Sequence, residues 1–137
     1  MHMQGEPRTM QREPQYRDVV AEIHDYLETR IEQCVAAGIA RERICVDPGF
    51  GFGKTVTHNL SLLRRLSVFN NLNSAIMVGL SRKSLIGELT GRSVDDRLAG
   101  SVAAALLAVQ SGADIVRVHD VAATVDALKV LTAVTQK

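Results

Sequence analysis

The chain has 137 residues, a formal net charge of +1, 46% apolar residues and 23% charged residues. That is room for one modest soluble domain, and its near-neutral balance recruits neither nucleic acid nor an anionic membrane. Aromatic residues are only 4% and Trp is absent, so no base-stacking surface is expected.

In chain order, Met1-His2-Met3 reads as the end of a strand, and the polar stretch Arg8-Thr9-Met10-Gln11-Arg12-Glu13, flanked by Pro7 and Pro14, reads as a loop. The opening residues lack the apolar core of a signal peptide. Val19, Val20, Ile23, Tyr26, Leu27, Ile31, Cys34 and Val35 recur at three- and four-residue spacings, which predicts an amphipathic helix over 16–37 with Gly38 at its end. His24 lies near its polar face and is read as a surface residue.

An apolar run, Ile44-Cys45-Val46, predicts a buried strand. Cys34 and Cys45 are accordingly expected to be free buried thiols in a reducing cytoplasm. Thr57 is placed to cap a helix over 58–69, with Leu60, Leu63 and Leu66 on one face. Asn70-Asn71-Leu72-Asn73 is a polar break before a second strand over 75–80. A short helical turn over 85–89 follows. Ser93 and Asp96 form a capping-box pattern for a helix over 94–111, with Leu98, Val102, Ala105, Leu106 and Val109 inward. Its longest apolar stretch, 102–109, is too short to cross a bilayer. A third strand is expected over 115–119. Asp120 is expected to cap a last helix over 121–134 that turns Val125, Leu128 and Leu131 inward. The alternation of strands and helices predicts an α/β fold with a parallel sheet and outer helices.

The richest stretch for chemistry is Asp47-Pro48-Gly49-Phe50-Gly51-Phe52-Gly53-Lys54-Thr55. Gly53-Lys54-Thr55 matches the end of a phosphate-binding P-loop, but the first glycine of that motif would fall on Pro48. The dinucleotide pattern fits Gly49 and Gly51, but its third glycine falls on Lys54. Neither motif is present. Active sites of parallel α/β proteins lie at the C-terminal ends of the strands. Three strand ends carry polar clusters: Asp47, then Ser81-Arg82-Lys83-Ser84, then Arg117 with His119. A carboxylate can take two parallel N–H bonds from an amino-pyrimidine edge. A lysine can donate to a ring carbonyl, and Phe50 and Phe52 offer ring surface to a flat heterocycle. Arg117 and His119 can hold a phosphate or pyrophosphate.

These three motifs, together with Met1-His2-Met3-Gln4-Gly5, resemble the bacterial dihydropteroate synthases along the whole chain. The resemblance implies the C-terminal half of a (β/α)8 TIM barrel, with residues 1–137 as a single pterin-binding-type domain. It implies condensation of 6-hydroxymethyl-dihydropterin pyrophosphate with p-aminobenzoate, releasing pyrophosphate, with sulfonamides as competitors of p-aminobenzoate. By that resemblance Asp47 binds the pterin amino edge, and Met1, Phe52 and Gly79 line the pterin pocket. Lys83 contacts the pterin carbonyl and borders the p-aminobenzoate site beside Ser84. Arg117 and His119 take the departing pyrophosphate, and Lys83, Arg117 and His119 are the candidate catalytic residues. Mg²⁺ is implied as cofactor, with its protein ligand outside this chain and no metal ligand within it. A full barrel needs about 250 residues. The chain alone is therefore expected to be inactive, and its open barrel face to drive homodimerisation or self-association. The alternatives are a non-catalytic half-barrel fragment and a pterin-binding methyltransferase domain. The latter is expected to lack Ser-Arg-Lys-Ser beside Arg-x-His.

Overall fold

The computed structural model describes residues 1–135. Gln136 and Lys137, the end of the expected domain, lie outside the described residues. The first helix, α1, spans Val19–Ala36. It starts later than periodicity suggests because Asp18 is its N-cap, accepting from the backbone N–H groups of Val20 (2.9 Å) and Ala21 (3.2 Å). At its other end Gly38 adopts φ 91°, so that its N–H reaches Val35 O and the N–H of Ile39 reaches Cys34 O. This is the Schellman arrangement, and glycine permits it. Val19, Val20, Ile23, Leu27 and Ile31 form the buried stripe.

Strand β1 (Cys45–Val46), β2 (Ala75–Val78) and β3 (Ile115–Val116) pair in parallel in that order. The register aligns Val46 with Ile76 and Val78 with Val116. Before β1, the backbone N–H of His2 donates to Asp47 O at 3.0 Å, so the expected strand stub runs beside β1 with a single bond. Helix α2 (Val56–Arg64) is capped by Thr55, not Thr57: Thr55 Oγ1 accepts from the His58 N–H, and His58 Nδ1 accepts from the Thr55 N–H. The expected continuation of α2 is instead a 3₁₀ stretch, Leu66–Leu72, which buries Leu66, Phe69 and Leu72. The polar break at 70–73 therefore contributes a core leucine. Asn73 ends the stretch in a left-handed conformation, φ 49°.

Helix α3 (Ser84–Thr90) is followed by a 3₁₀ turn, Val94–Asp96, and then by α4 (Leu98–Gln110). Ser93 Oγ bonds the Asp96 carboxylate rather than a backbone N–H, so the expected capping box does not form and α4 starts later. Its buried residues are Ser101, Ala104, Ala105 and Ala108, while Leu98 is exposed. The helix is apolar nearly all round, so periodicity could not select its face. Small residues settle it, because they let α4 approach its neighbours closely. Helix α5 (Val121–Thr135) buries Thr124, and Val125 is exposed rather than inward.

The helices cover one face of the strands. Val46, Ile76 and Val78 lie beneath them in a core with Ile23, Leu27, Leu62 and Phe69. The opposite, concave face carries Cys45, Ala75, Met77 and Ile115, and it is open: Cys45 and Ile115 are exposed. Cys45 is thus not a buried thiol, and Cys34 on α1 is only partly buried. Cys45 faces the side that a closed barrel would enclose. Parallel strands with outer helices on one face make this an open half of a (β/α)8 barrel. Among the described residues, no helix is long and apolar enough to cross a membrane.

Candidate active site

Asp47 follows β1 directly and is buried; its Oδ1 accepts from the Gly49 N–H at 2.7 Å. The chain then reverses in a β-turn. The Phe52 N–H donates to Gly49 O at 3.1 Å, with Gly51 at φ 78° in the third position. This is a type II turn, which favours glycine there. Side chains satisfy further backbone groups of the loop. Asn59 Oδ1 accepts from the Gly51 N–H (2.8 Å), Gln11 donates to Gly51 O, and the Tyr16 hydroxyl donates to Gly53 O (2.9 Å). Lys54, 4% exposed, donates to Gly49 O (2.8 Å), Phe52 O (2.9 Å) and His2 Nδ1 (3.1 Å). When Lys54 is the donor in the last of these, His2 Nδ1 is the acceptor.

The Lys83 ammonium reaches the same turn from the other side. It donates to Phe50 O and lies 4.6 Å from the centre of the Phe52 ring. Burial lowers the pKa of Lys54 to about 7 and of Lys83 to about 8, with Asp47 opposing both shifts. Burial and the Lys54 charge lower His2 to about 4.

The β2 end turns sharply at Arg82, whose φ of 56° is left-handed, a conformation that costs a non-glycine residue on the order of 1–3 kcal/mol. Three bonds fix it. Its guanidinium pairs with both carboxylate oxygens of Asp120 at 2.6 and 3.1 Å, and its N–H donates to Ser101 Oγ at 2.9 Å. The Arg82 bond holds the Asp120 carboxyl below the usual carboxylate range. Asp120 thus gives its side chain to Arg82 rather than to capping α5; its backbone carbonyl accepts from Thr124. The same turn places Ser81 Oγ 2.9 Å from His119 Nδ1, while the His119 N–H donates to that oxygen at 3.2 Å. Arg117 lies across Gly79, where any Cβ would come 2.9 Å from a guanidinium nitrogen. Glycine at 79 is therefore what admits Arg117.

Gly79, Ser81, Arg82, Lys83, Arg117 and His119 line one open cavity of about 430 Å³ at the strand ends. A larger hollow of about 710 Å³ near the start of α1 gathers none of these residues. The cavity presents the Lys83 and Arg117 cations and the His119 ring, with buried Asp47 close enough to Lys83 to raise its pKa. Such a site suits an anion joined to a flat ring with polar edges.

The sequence profile of the pterin binding enzyme family matches residues 1–119. The chain belongs to that family. The Escherichia coli K12 dihydropteroate synthase is 52% identical over 133 residues, 97% of this chain and 47% of that protein. The crystal structure of dihydropteroate synthase from Stenotrophomonas maltophilia, with active-site-bound imidazole, superimposes with a TM-score of 0.96 at 56% identity, covering 98% of this chain and 51% of that one. That of the Xanthomonas albilineans enzyme with 4-aminobenzoic acid gives 0.91 at 52% identity, covering 99% and 48%. This pterin-binding-family chain therefore spans about half the length of the curated relatives it matches.

Within this family member, Gly79, Lys83, Arg117 and His119 share the cavity, and Phe52 adjoins it beneath Lys83. Ser84 is the first residue of α3 and faces a neighbouring hollow that it shares with Lys54, Asn59 and Glu88. Met1 is exposed and lies outside the cavity. Phe50 is fully buried in the core, so of the two phenylalanines only Phe52 has ring surface to offer. Lys54, Ser81 and His2 fall within the motifs quoted from the sequence but were given no individual role there. Their signal is polar residues at positions that the loop reversal buries, which a linear pattern does not reveal. Mg²⁺ finds no ligand set at this rim. Asp47 already accepts from Gly49 and lies among lysines, Asp120 is taken by Arg82, and the one cluster of ligating atoms among the described residues, His24, Asp25 and Glu28, sits on α1. No step through a metal is assigned to these residues.

Proposed function

We propose that this chain supplies the pterin-pyrophosphate side of a dihydropteroate synthase in the cytoplasm, and that the whole barrel condenses 6-hydroxymethyl-dihydropterin pyrophosphate with p-aminobenzoate. The observation that carries the reading is the convergence of Lys83, Arg117 and His119 on one strand-end cavity next to buried Asp47. In this reading Asp47 accepts the amino edge of the pterin, and Phe52 and Gly79 flank the ring. Lys83 donates to the ring carbonyl and borders the p-aminobenzoate position with Ser84. The arylamine nitrogen attacks the pterin methylene, the C–N bond forms as the C–O bond breaks, and the amine loses a proton. Arg117 and His119 stabilise the charge that develops on the departing pyrophosphate. The Ser81 hydroxyl, which bonds His119 Nδ1, directs the other ring nitrogen toward that anion. Sulfonamides compete for the p-aminobenzoate position.

The concave face with Cys45, Met77 and Ile115 needs a cover, which the other barrel half or a second copy of the chain would provide. The test is dihydropteroate formation by the pure chain, alone and mixed with the N-terminal half of a relative. The expected result is no product alone and product in the mixture. Turnover by the chain alone would contradict the half-site reading, and an inactive mixture of folded halves would contradict the enzyme assignment.

A further inference from the structure

Lys54 is nearly inaccessible, and the proposed reaction gives it no ligand contact. Its three donors meet three internal acceptors: Gly49 O, Phe52 O and His2 Nδ1. The first two are the opening and closing residues of the turn that carries Phe50 and Phe52. The third belongs to the stub, whose backbone N–H of His2 in turn donates to Asp47 O. One ammonium thus ties both ends of the turn to the segment beside β1.

Lys83 holds the same turn from the opposite side, through Phe50 O and the Phe52 ring. Only Lys83 lines the strand-end cavity. Lys83 spends one of its three donors on Phe50 O and keeps the others for a ligand in that cavity. Lys54, with all three donors engaged inside the loop, is the tie that no ligand draws on. Charge-assisted hydrogen bonds to buried carbonyls are stronger than neutral ones, and they hold a glycine-rich segment that is otherwise entropically costly to order.

We propose that Lys54 is a positioning residue that keeps the Gly49–Phe52 turn in its binding shape and leaves Lys83 donors for the ligand. The identity of that ligand rests on the pterin reading above; the clamp itself does not.

The experiment is amide hydrogen exchange at Gly49, Gly51 and Phe52 in the wild-type chain, Lys54→Met, Lys83→Met and the double variant. It is run without ligand and then with 6-hydroxymethyl-dihydropterin pyrophosphate. Without ligand, Lys54→Met is expected to speed exchange at these amides by about tenfold and the double variant by more, while α1 stays protected. With ligand, the wild-type turn stays protected. Lys54→Met, with Lys83 intact, is expected to stay less protected at the turn than the liganded wild type and to bind at least about tenfold more weakly. Lys54→Gln keeps donors and is expected to recover part of the protection; it also carries the comparison if Lys54→Met does not fold by circular dichroism. Turn exchange unchanged by either folded Lys54 variant would overturn the clamp. Absence of pterin binding by the wild type would overturn the ligand reading alone, because the ligand-free exchange still decides the clamp.

Discussion

Gly49→Ala is expected to destabilise the chain by about 3 kcal/mol, seen as a lower urea midpoint with little change in slope. Two effects add. The residue sits at φ 73°, where a Cβ is strained, and that Cβ would lie 1.9 Å from the backbone oxygen of His2. The oxygen belongs to a backbone segment bonded to Asp47 O, so relief requires the stub to leave β1. Gly38→Ala separates the two effects. Gly38 has φ 91° but nothing within 4 Å of its Cβ position, so strain acts alone and about 1 kcal/mol is expected. Equal losses in the two variants would contradict the close packing of the stub on the glycine loop.

The second large effect is acid sensitivity centred on His2. Its folded pKa is lowered to about 4 from the ordinary 6.5, by burial and by the Lys54 charge. The unfolded chain therefore takes up a proton in a range where the folded chain does not. The stability from neutral His2 is complete above 6.5 and is lost as the pH falls from 6.5 toward about 4. The upper bound is about 3.5 kcal/mol, from about 1.4 kcal/mol per unit over that range. Urea midpoints of the wild type and of His2→Gln, compared at about pH 7 and about pH 4.5, isolate this contribution, since the carboxylates of both proteins titrate alike. The wild type is expected to lose distinctly more stability than the variant. Parallel losses would mean that His2 is not held neutral by burial against Lys54.

Gly49 stands in the stretch that the sequence marks as richest in chemistry, but the packing of His2 against it was not legible there, and the reason is physical. Asp47, Lys83, Arg117 and His119 are legible because charge at a strand end is hard to explain as packing, and a parallel sheet sends its strand ends to one rim. Lys54 and His2 lie far apart in the chain, and nothing in the linear pattern pairs them until the glycine turn folds back and brings the stub against it. Helix α1 was readable in outline from its spacing, but its start was misplaced, because Asp18 takes the cap, and Tyr26 and Val35 of the expected stripe are exposed. Helix α4 was readable as a helix but not as a face, since its buried side chains are the small ones. Cys45 was misplaced because a three-residue apolar run does not say that one side of the sheet faces an open concavity. The 3₁₀ stretch Leu66–Leu72 was missed because three asparagines, Asn70, Asn71 and Asn73, surround the buried Leu72. Local polarity suggested a break where tertiary burial of one leucine prevailed.

The central claim is that this strand-end rim is a pterin-pyrophosphate site. Calorimetric titration of the purified chain with 6-hydroxymethyl-dihydropterin pyrophosphate, beside Asp47→Ala, tests it most directly. The account predicts saturable binding by the wild-type chain and its loss, by at least about a hundredfold, in the variant, because a buried carboxylate accepting two N–H bonds is worth roughly 3 kcal/mol. Equal binding by Asp47→Ala, or none by a wild-type chain that is folded by circular dichroism, would contradict it.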